Sequence, residues 1–93
     1  MSLITNEKGG IKDDCIITKV EDNRFFVVVN GACKEKDLAH MNEIKNSSKF
    51  DRKDVSIKVI DDHSLIAVQG PKAMVLMQDI LGISLVDMDF MTS

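Results

Sequence analysis

The fold is decided by residues 9–18, which read GGIKDDCIIT, together with the apolar run that follows them. Two glycines permit a sharp backbone turn, and two adjacent aspartates then stand at the head of an apolar, β-branched stretch. A second apolar run at 25–29 follows the polar segment EDNR. Two such runs separated by a turn predict a β-hairpin. Carboxylates beside a buried hairpin are costly unless they are satisfied or used, so the function is expected here.

Strand alternation assigns the two aspartates to opposite faces of a first strand over about 11–20, with Lys12 on the side of Asp14. Asp13 and Asp14 are therefore not a paired-carboxylate dyad. With the turn centred near 22–23, Asp14 and Asn30 become cross-strand neighbours whose Cβ atoms lie about 5 Å apart. A carboxylate beside a carboxamide can bind a ligand that carries both donors and acceptors. The alternative is that Asn30 only begins the turn into the next helix.

The remaining segments alternate between strand and helix patterns. Residues 1–8 are predicted to be a lead-in segment that ends in turn formers, and 24–30 a central strand that is apolar on both faces. A helix over 33–46 follows, because apolar residues recur there at helical spacing. Further strands are predicted at 55–59 and 65–69, a helix from Pro71 to a stop at Gly82, and short extended pieces at 83–86 and 90–93.

From the second strand onward the predicted order is β-α-β-β-α-β, which is the ferredoxin-like arrangement, with one extra strand hairpinned on at the front. We therefore expect an α+β fold with an antiparallel sheet and two helices. A chain of 93 residues allows one domain at most, so residues 1–93 are predicted to be a single domain.

Composition and charge exclude several classes of function. The chain is 44% hydrophobic and 29% charged, which is typical of a globular protein. A net charge of −3 argues against a nucleic-acid partner. No apolar run approaches the ~20 residues needed to span a bilayer, so no membrane partner is expected.

Candidate metal ligands and nucleophiles are few. His40 lacks partners at ligand spacing and is predicted to be a surface residue. The run DDHS at 61–64 is interpreted as a turn, since adjacent residues rarely converge on one ion, and no metal is expected. Cys15 and Cys33 are predicted to be reduced structural thiols. Cys33, which precedes Lys34, is the better of two weak candidates for a reactive thiol.

Four stretches, read together, resemble the aminomethyltransferase family, the T-protein of the glycine cleavage system. They are TNE at 5–7 leading into GGIKDD at 9–14, VVN at 28–30 followed by KEKDL at 34–38, IAVQGP at 66–71 with Ala73, and FMTS at 90–93. Each motif is weak alone, whereas four in register are a strong signal over essentially the whole chain. The FMTS ending favours the mitochondrial form.

The resemblance implies a function and a site. The family transfers the one-carbon unit of an aminomethyl group, held on the lipoyl arm of the H-protein, to tetrahydrofolate with release of ammonia. Asp14 matches the key acidic residue near the folate, with the main chain of Val28 and the side chain of Asn30 at other folate-lining positions. Asp13 is expected to be structural. The expected location is the mitochondrial matrix, or the cytoplasm if the source is bacterial.

The chain matches only part of a longer enzyme and is interpreted as a fragment of its folate-binding region that is inactive alone. One alternative is the folate-binding domain of a related sarcosine- or dimethylglycine-oxidising protein, or of a folate-dependent iron–sulfur assembly protein. A stand-alone interaction module, dimerising through a sheet edge or a Met-rich face, is another.

Overall fold

The computed structural model describes residues 1–48, 54–89 and 92. The chain divides into two compact units, Met1–Lys58 and Val59–Ser93. In the residues described, the first unit contains a three-stranded antiparallel sheet and an α-helix, and the second contains one α-helix. The predicted α+β class, with an antiparallel sheet and two helices, is confirmed.

The sheet of the first unit has the order β1-β2-β3, with β1 at Ser2–Thr5, β2 at Ile11–Glu21 and β3 at Arg24–Val29. Strands β2 and β3 form the predicted hairpin around residues 22–23. Strand β1 was not predicted, because two apolar residues in four carry too little alternation to distinguish a strand from a lead-in segment.

The loop between β1 and β2 explains the two glycines. The side-chain oxygen of Asn6 accepts hydrogen bonds from the backbone N–H groups of Lys8 and Gly10, both at 2.9 Å. Gly9 has a φ of +79°, a conformation that favours glycine. A Cβ atom on Gly10 would lie 2.8 Å from the Asn6 amide nitrogen, so a larger residue would displace this side chain.

A short 3₁₀ turn at Gly31–Cys33 leads into helix α1, Lys34–Asn46. Hydrogen bonds from His40 and Lys36 join α1 to the sheet. The His40 Nε2 atom donates to the Thr5 carbonyl at 3.1 Å, and its Nδ1 atom accepts from Lys12 at 2.8 Å. Lys36 donates to the Lys12 carbonyl at 2.7 Å. The prediction of a surface role for His40 is wrong, since its side chain is only 11% exposed and links α1 to strands β1 and β2.

Strand β2 carries one extra residue where it pairs with β1. Ile4 pairs with Asp13 and Thr5 pairs with Ile11, so Lys12 lies between these pairs as a β-bulge. A bulge redirects side chains, and both Lys12 and Asp13 contact α1. The predicted alternation therefore breaks at Lys12, because it assumed an uninterrupted ladder.

The second unit contains helix α2, Ala73–Leu81. The predicted signals hold at both ends. Gly70, with a φ of +117°, precedes Pro71 before the helix. Gly82 follows its last turn in the left-handed region at a φ of +67°, with its N–H bonded to the Gln78 carbonyl at 2.9 Å.

The ferredoxin-like topology is not confirmed. Residues 55–59, 65–69 and 83–86 form no strand, and β3 is an edge strand in the described part of the chain rather than a central one. A strand needs a hydrogen-bonded neighbour. The apolar side chains of 65–69 are also exposed to solvent, Leu65 by 71% and Ile66 by 85%. The extended piece expected at 90–93 lies outside the described residues, apart from Thr92.

Candidate functional site

The predicted contact between Asp14 and Asn30 is present. Asp14 lies on β2, one residue before the Cys15–Val29 pair, and Asn30 is the first residue after β3. The amide nitrogen of Asn30 donates to the Asp14 Oδ1 atom at 3.1 Å. Asp14 is exposed, so its carboxylate is both positioned by a neighbour and open to a ligand.

The Asn30 amide has a second acceptor that strand alternation did not predict. Its nitrogen also donates to the Asp13 Oδ1 atom at 3.0 Å. Asn30 lies beyond the last paired residue of β3, so its side chain can reach both carboxylates although they leave β2 on different sides. With two carboxylates as partners, the amide must present its NH₂ group to them, because carboxylates only accept. Asn30 therefore links Asp13 to Asp14.

Val28 lies on the same face of the sheet as Asp14. It pairs with Ile16, which is two residues beyond Asp14 on β2, and directly paired residues share a face. Leu3 pairs with Asp14 from the other side, and Phe26 pairs with Thr18 further along the hairpin. The structure thus brings the three candidate residues together beside exposed apolar side chains. We call this surface the Asp14 face; it consists of Leu3, Asp14, Ile16, Phe26, Val28 and Asn30.

The Asp14 face can bind a flat, partly polar molecule. Apolar side chains at Leu3, Ile16 and Phe26 are exposed, and they can cover the faces of a ring system. The Asp14 carboxylate can accept hydrogen bonds from N–H groups at the edge of that ring. Such a division between apolar contact and a few polar groups is typical of small-molecule sites.

The opposite side of β2 holds a buried polar cluster. Cys15 is 4% exposed, and Asp37 of α1, at 1%, is the most buried side chain described. The Asp13 carboxylate accepts hydrogen bonds from the Cys33 thiol and from Asn30, and these bonds lower its pKa from 3.8 to about 2. Asp13 therefore binds the side chains of Asn30 and Cys33, which lie between β3 and α1.

Asp37 has the opposite electrostatic behaviour. Burial raises the pKa of the Asp37 carboxyl, and its contact with the Asp13 carboxyl raises it further. Neither Asp37 oxygen has a hydrogen-bond donor, and the Asp13 Oδ2 atom also lacks one. Two neighbouring carboxyl groups whose pKa values move apart can hold a proton between them.

The sequence patterns above do not single out Asp37. A signal was present, because Asp37 lies three and four residues before His40 and Met41 on the helix face that meets the sheet. The signal is obscured because Asp37 ends a run of four charged residues, a pattern that is typical of an exposed helix surface.

Neither cysteine is activated. Cys15 and Cys33 are both free thiols, as predicted. The hydrogen bond to Asp13 raises the pKa of the Cys33 thiol, and burial raises that of Cys15. Cys33 is therefore a poor candidate for a reactive thiol, because a raised pKa lowers the thiolate fraction. The hydrogen bond between Lys36 and Cys33 raises the pKa of the Lys36 ammonium group.

Metal-ligating groups do not converge in the described ranges 1–48 and 54–89, where no set of three His, Cys, Asp or Glu side chains is placed to hold an ion. His63 bonds to Asp62 at 2.8 Å, and both side chains are exposed. Neither α1 nor α2 is long and apolar enough to cross a membrane, and the described residues contain no other α-helix.

Comparison with known proteins identifies relatives of the chain. The sequence profile of the GCVT N-terminal domain matches residues 1–93. A mitochondrial aminomethyltransferase of Mesembryanthemum crystallinum is 49% identical over 78 residues, which is 84% of this chain and 19% of that protein. The human mitochondrial aminomethyltransferase is 41% identical over 93 residues, 100% of this chain and 23% of that protein.

The Dictyostelium discoideum mitochondrial aminomethyltransferase is 43% identical over 95 residues, covering 99% of this chain and 23% of that protein. The chain thus spans about a fifth of the length of the curated relatives that it matches. No solved structure gave a significant match.

Proposed function

The chain belongs to the GCVT N-terminal domain family, and on that premise we propose that it is part of a tetrahydrofolate-dependent aminomethyltransferase of glycine breakdown. The parent enzyme takes an aminomethyl group from the lipoyl arm of the H-protein. It transfers the one-carbon unit to tetrahydrofolate and releases ammonia. Residues 1–93 belong to the folate-binding region, and the chain alone is inactive.

One observation carries this proposal: the exposed Asp14 carboxylate is positioned by the Asn30 amide beside a row of apolar side chains. The reduced pterin of tetrahydrofolate is a bicyclic ring with a planar pyrimidine half and several N–H donors at its edge. The carboxylate supplies the acceptor for such donors, and the apolar side chains of the Asp14 face supply contact with the ring. Val28 and Asn30 complete the folate-lining set on this face.

The reaction needs control of protons. The lipoyl sulfur and the amino group both leave the methylene carbon, and two folate nitrogens bond to it. The two folate N–H protons are released, while ammonia and the lipoyl thiol each take one proton, so the reaction balances without an oxidant. A carboxylate beside the folate can orient a nitrogen for attack and accept its proton, which contributes through positioning and general-base catalysis.

The proposal includes partners and a compartment. The H-protein delivers its lipoyl arm to the parent enzyme, and tetrahydrofolate is the acceptor substrate. The relatives are named mitochondrial aminomethyltransferases, which supports the mitochondrial matrix as the location. The name of these relatives also supports the aminomethyltransferase over the related folate-binding oxidising enzymes.

The test is the transfer activity of the full-length protein that carries this chain, with Asp14→Asn as the variant. This change removes a charge and alters little volume, so the fold should persist. We expect turnover to fall about 100-fold or more, since the substitution removes the negative charge and the proton-accepting group. Asp22→Asn is the matched control, because Asp22 lies in the turn of the same hairpin and is fully exposed. Equal turnover in the Asp14→Asn and Asp22→Asn variants would contradict the catalytic role of Asp14.

A further inference from the structure

Asp37 lies where an ionised carboxylate is not tolerated. It is 1% exposed, and neither of its oxygens has a hydrogen-bond donor. Removing an ionised carboxylate from water without hydrogen bonds is one of the costliest changes that folding can impose. A group in this situation takes up a proton instead, provided that an acceptor for the proton is near.

The acceptor is the Asp13 carboxylate of β2. The Asp13 Oδ2 atom is buried and also lacks a donor, while Oδ1 is occupied by the Asn30 amide. The two carboxyl groups are in hydrogen-bonding contact. Two ionised carboxylates cannot hydrogen-bond to each other, because neither has a donor. One proton between them satisfies the unpartnered oxygen of Asp13 and one oxygen of Asp37 together.

We propose that Asp13 and Asp37 share a single proton, carried on Asp37, and that this pair positions the Asp14 carboxylate through the amide of Asn30. The proposal rests on the proposed function of Asp14 and makes Asp37 a positioning residue for the transfer. The hydrogen bonds run in one line. Asp37 donates to Asp13, and Asn30 donates both to Asp13 at 3.0 Å and to Asp14 at 3.1 Å.

The charges around the pair are consistent with one proton. The groups that face it are Asp14 and Cys15 of β2, Cys33 of the 3₁₀ turn, and Lys36 and His40 of α1, with Lys12 bonded to His40. With the proton on Asp37, the pair has one negative charge opposite the Lys36 ammonium group. Without it, two contacting carboxylates repel each other at a site where solvent cannot screen them.

Loss of the proton has a defined sign. The pKa of Asp37 is raised in the folded protein, so its protonated form stabilises the fold fully below the ordinary value of 3.8. This contribution disappears as the pH rises through the raised pKa. The repelled Asp13 carboxylate then no longer holds Asn30 in place, and the position of Asp14 is lost with it. We therefore expect activity to decline on the alkaline side.

Infrared spectroscopy tests the proton without using turnover. The carboxylic C=O band of Asp37 should appear in the difference between the full-length wild-type protein and its Asp37→Asn variant. It should shift on deuteration and vanish as the pH is raised through the raised pKa of Asp37. Absence of this band at every pH at which the protein is folded would overturn the proposal. If the band behaves as expected but Asp14→Asn retains full turnover, the shared proton is supported and only the proposed function of Asp14 is contradicted.

Kinetics test the positioning. Asp37→Val removes the donor, and we expect kcat to fall about tenfold with a smaller change in the folate KM, since orientation rather than binding is impaired. Asp37→Asn supplies an N–H donor that does not titrate, so it should recover most of this loss and lack the alkaline decline. Asp79→Asn, at an exposed position of α2, is the control. Equal kcat values for the Val and Asn variants at all pH values would show a purely structural role and overturn the positioning.

Discussion

The amide nitrogen of Asn30 lies 3.1 Å from the Oδ1 atom of Asp14, across the end of the β2–β3 hairpin. The same nitrogen lies 3.0 Å from the Oδ1 atom of Asp13. An exposed carboxylate on a strand usually moves among several rotamers. Here a neighbour restricts it, and that neighbour is itself held by a second, ionised carboxylate. The candidate catalytic group is therefore supported from the helix side of the sheet.

Removing the Asn30 amide should reduce activity more than folding stability. In Asn30→Ala, the Asp14 carboxylate loses its donor, and we expect kcat of the full-length protein to fall about tenfold. The contacts are near the surface, so the unfolding midpoint should change little. Steady-state kinetics and thermal unfolding measure the two effects. Asn46→Ala, at the exposed last residue of α1, is the control. A fall in activity equal to that of the control would contradict the positioning role of Asn30.

The Cys33 thiol should report on its bond to Asp13. That hydrogen bond is the main cause of the raised thiol pKa. In Asp13→Asn, the carboxylate acceptor is gone and Lys36 remains, so the thiolate fraction should rise. We expect alkylation of Cys33 by iodoacetamide to become about threefold faster or more near neutral pH.

Mass spectrometry of the peptide containing residue 33 gives the alkylation rate. Cys15 serves as an internal comparison, because it is 4% exposed and should react slowly in both proteins. An unchanged or slower reaction at Cys33 in Asp13→Asn would show that the thiol does not donate to Asp13.

Asp13 should make stability depend on pH on the acid side. Its pKa is lowered from 3.8 to about 2 in the folded protein, first by the Cys33 bond and then by Asn30. The ionised form therefore stabilises the fold above pH 3.8, and this contribution is lost as the pH falls toward 2. We expect the unfolding midpoint of wild type to fall more steeply than that of Asp13→Asn over this range. Parallel curves would contradict the lowered pKa.

Local signals in the sequence predicted much of the fold. The hairpin followed from two apolar runs around a polar turn, and both ends of α2 followed from Gly70, Pro71 and Gly82, whose backbone conformations are intrinsic. The contact between Asp14 and Asn30 followed from the turn position, since hairpin register is fixed by its turn.

Features that depend on tertiary contacts could not be predicted from patterns in the sequence. Asp37 is buried because α1 lies against β2, which a run of charged residues at the start of a helix does not indicate. The bulge at Lys12 arises from the pairing of β1 with β2, and it directs Lys12 to His40. Both features concern which face a polar side chain occupies, and this depends on the neighbouring element.

Residues 65–69 were predicted to be a strand but form none in this chain. They allow a test of whether a strand forms there in the full-length protein. Their sequence, LIAVQ, is apolar on both faces, which is the pattern of a central strand. In this chain they form no strand, and Leu65 and Ile66 are exposed by 71% and 85%. Side chains of this kind are stable on a surface only when few are grouped together. Since the chain spans only about a fifth of the length of these relatives, we expect other segments of the full-length protein to pair with residues 65–69.

Hydrogen exchange measured by mass spectrometry distinguishes a paired strand at 65–69 from an exposed, unpaired segment. In the full-length protein, the amides of 65–69 should be protected, because strand hydrogen bonds open only through local or global unfolding. In the isolated 93-residue chain they should exchange rapidly. The β2–β3 hairpin is the internal control, since its hydrogen bonds are made within the chain and should protect its amides in both preparations. Rapid exchange of 65–69 in the full-length protein, with the hairpin protected, would show that the apolar pattern there does not specify a strand.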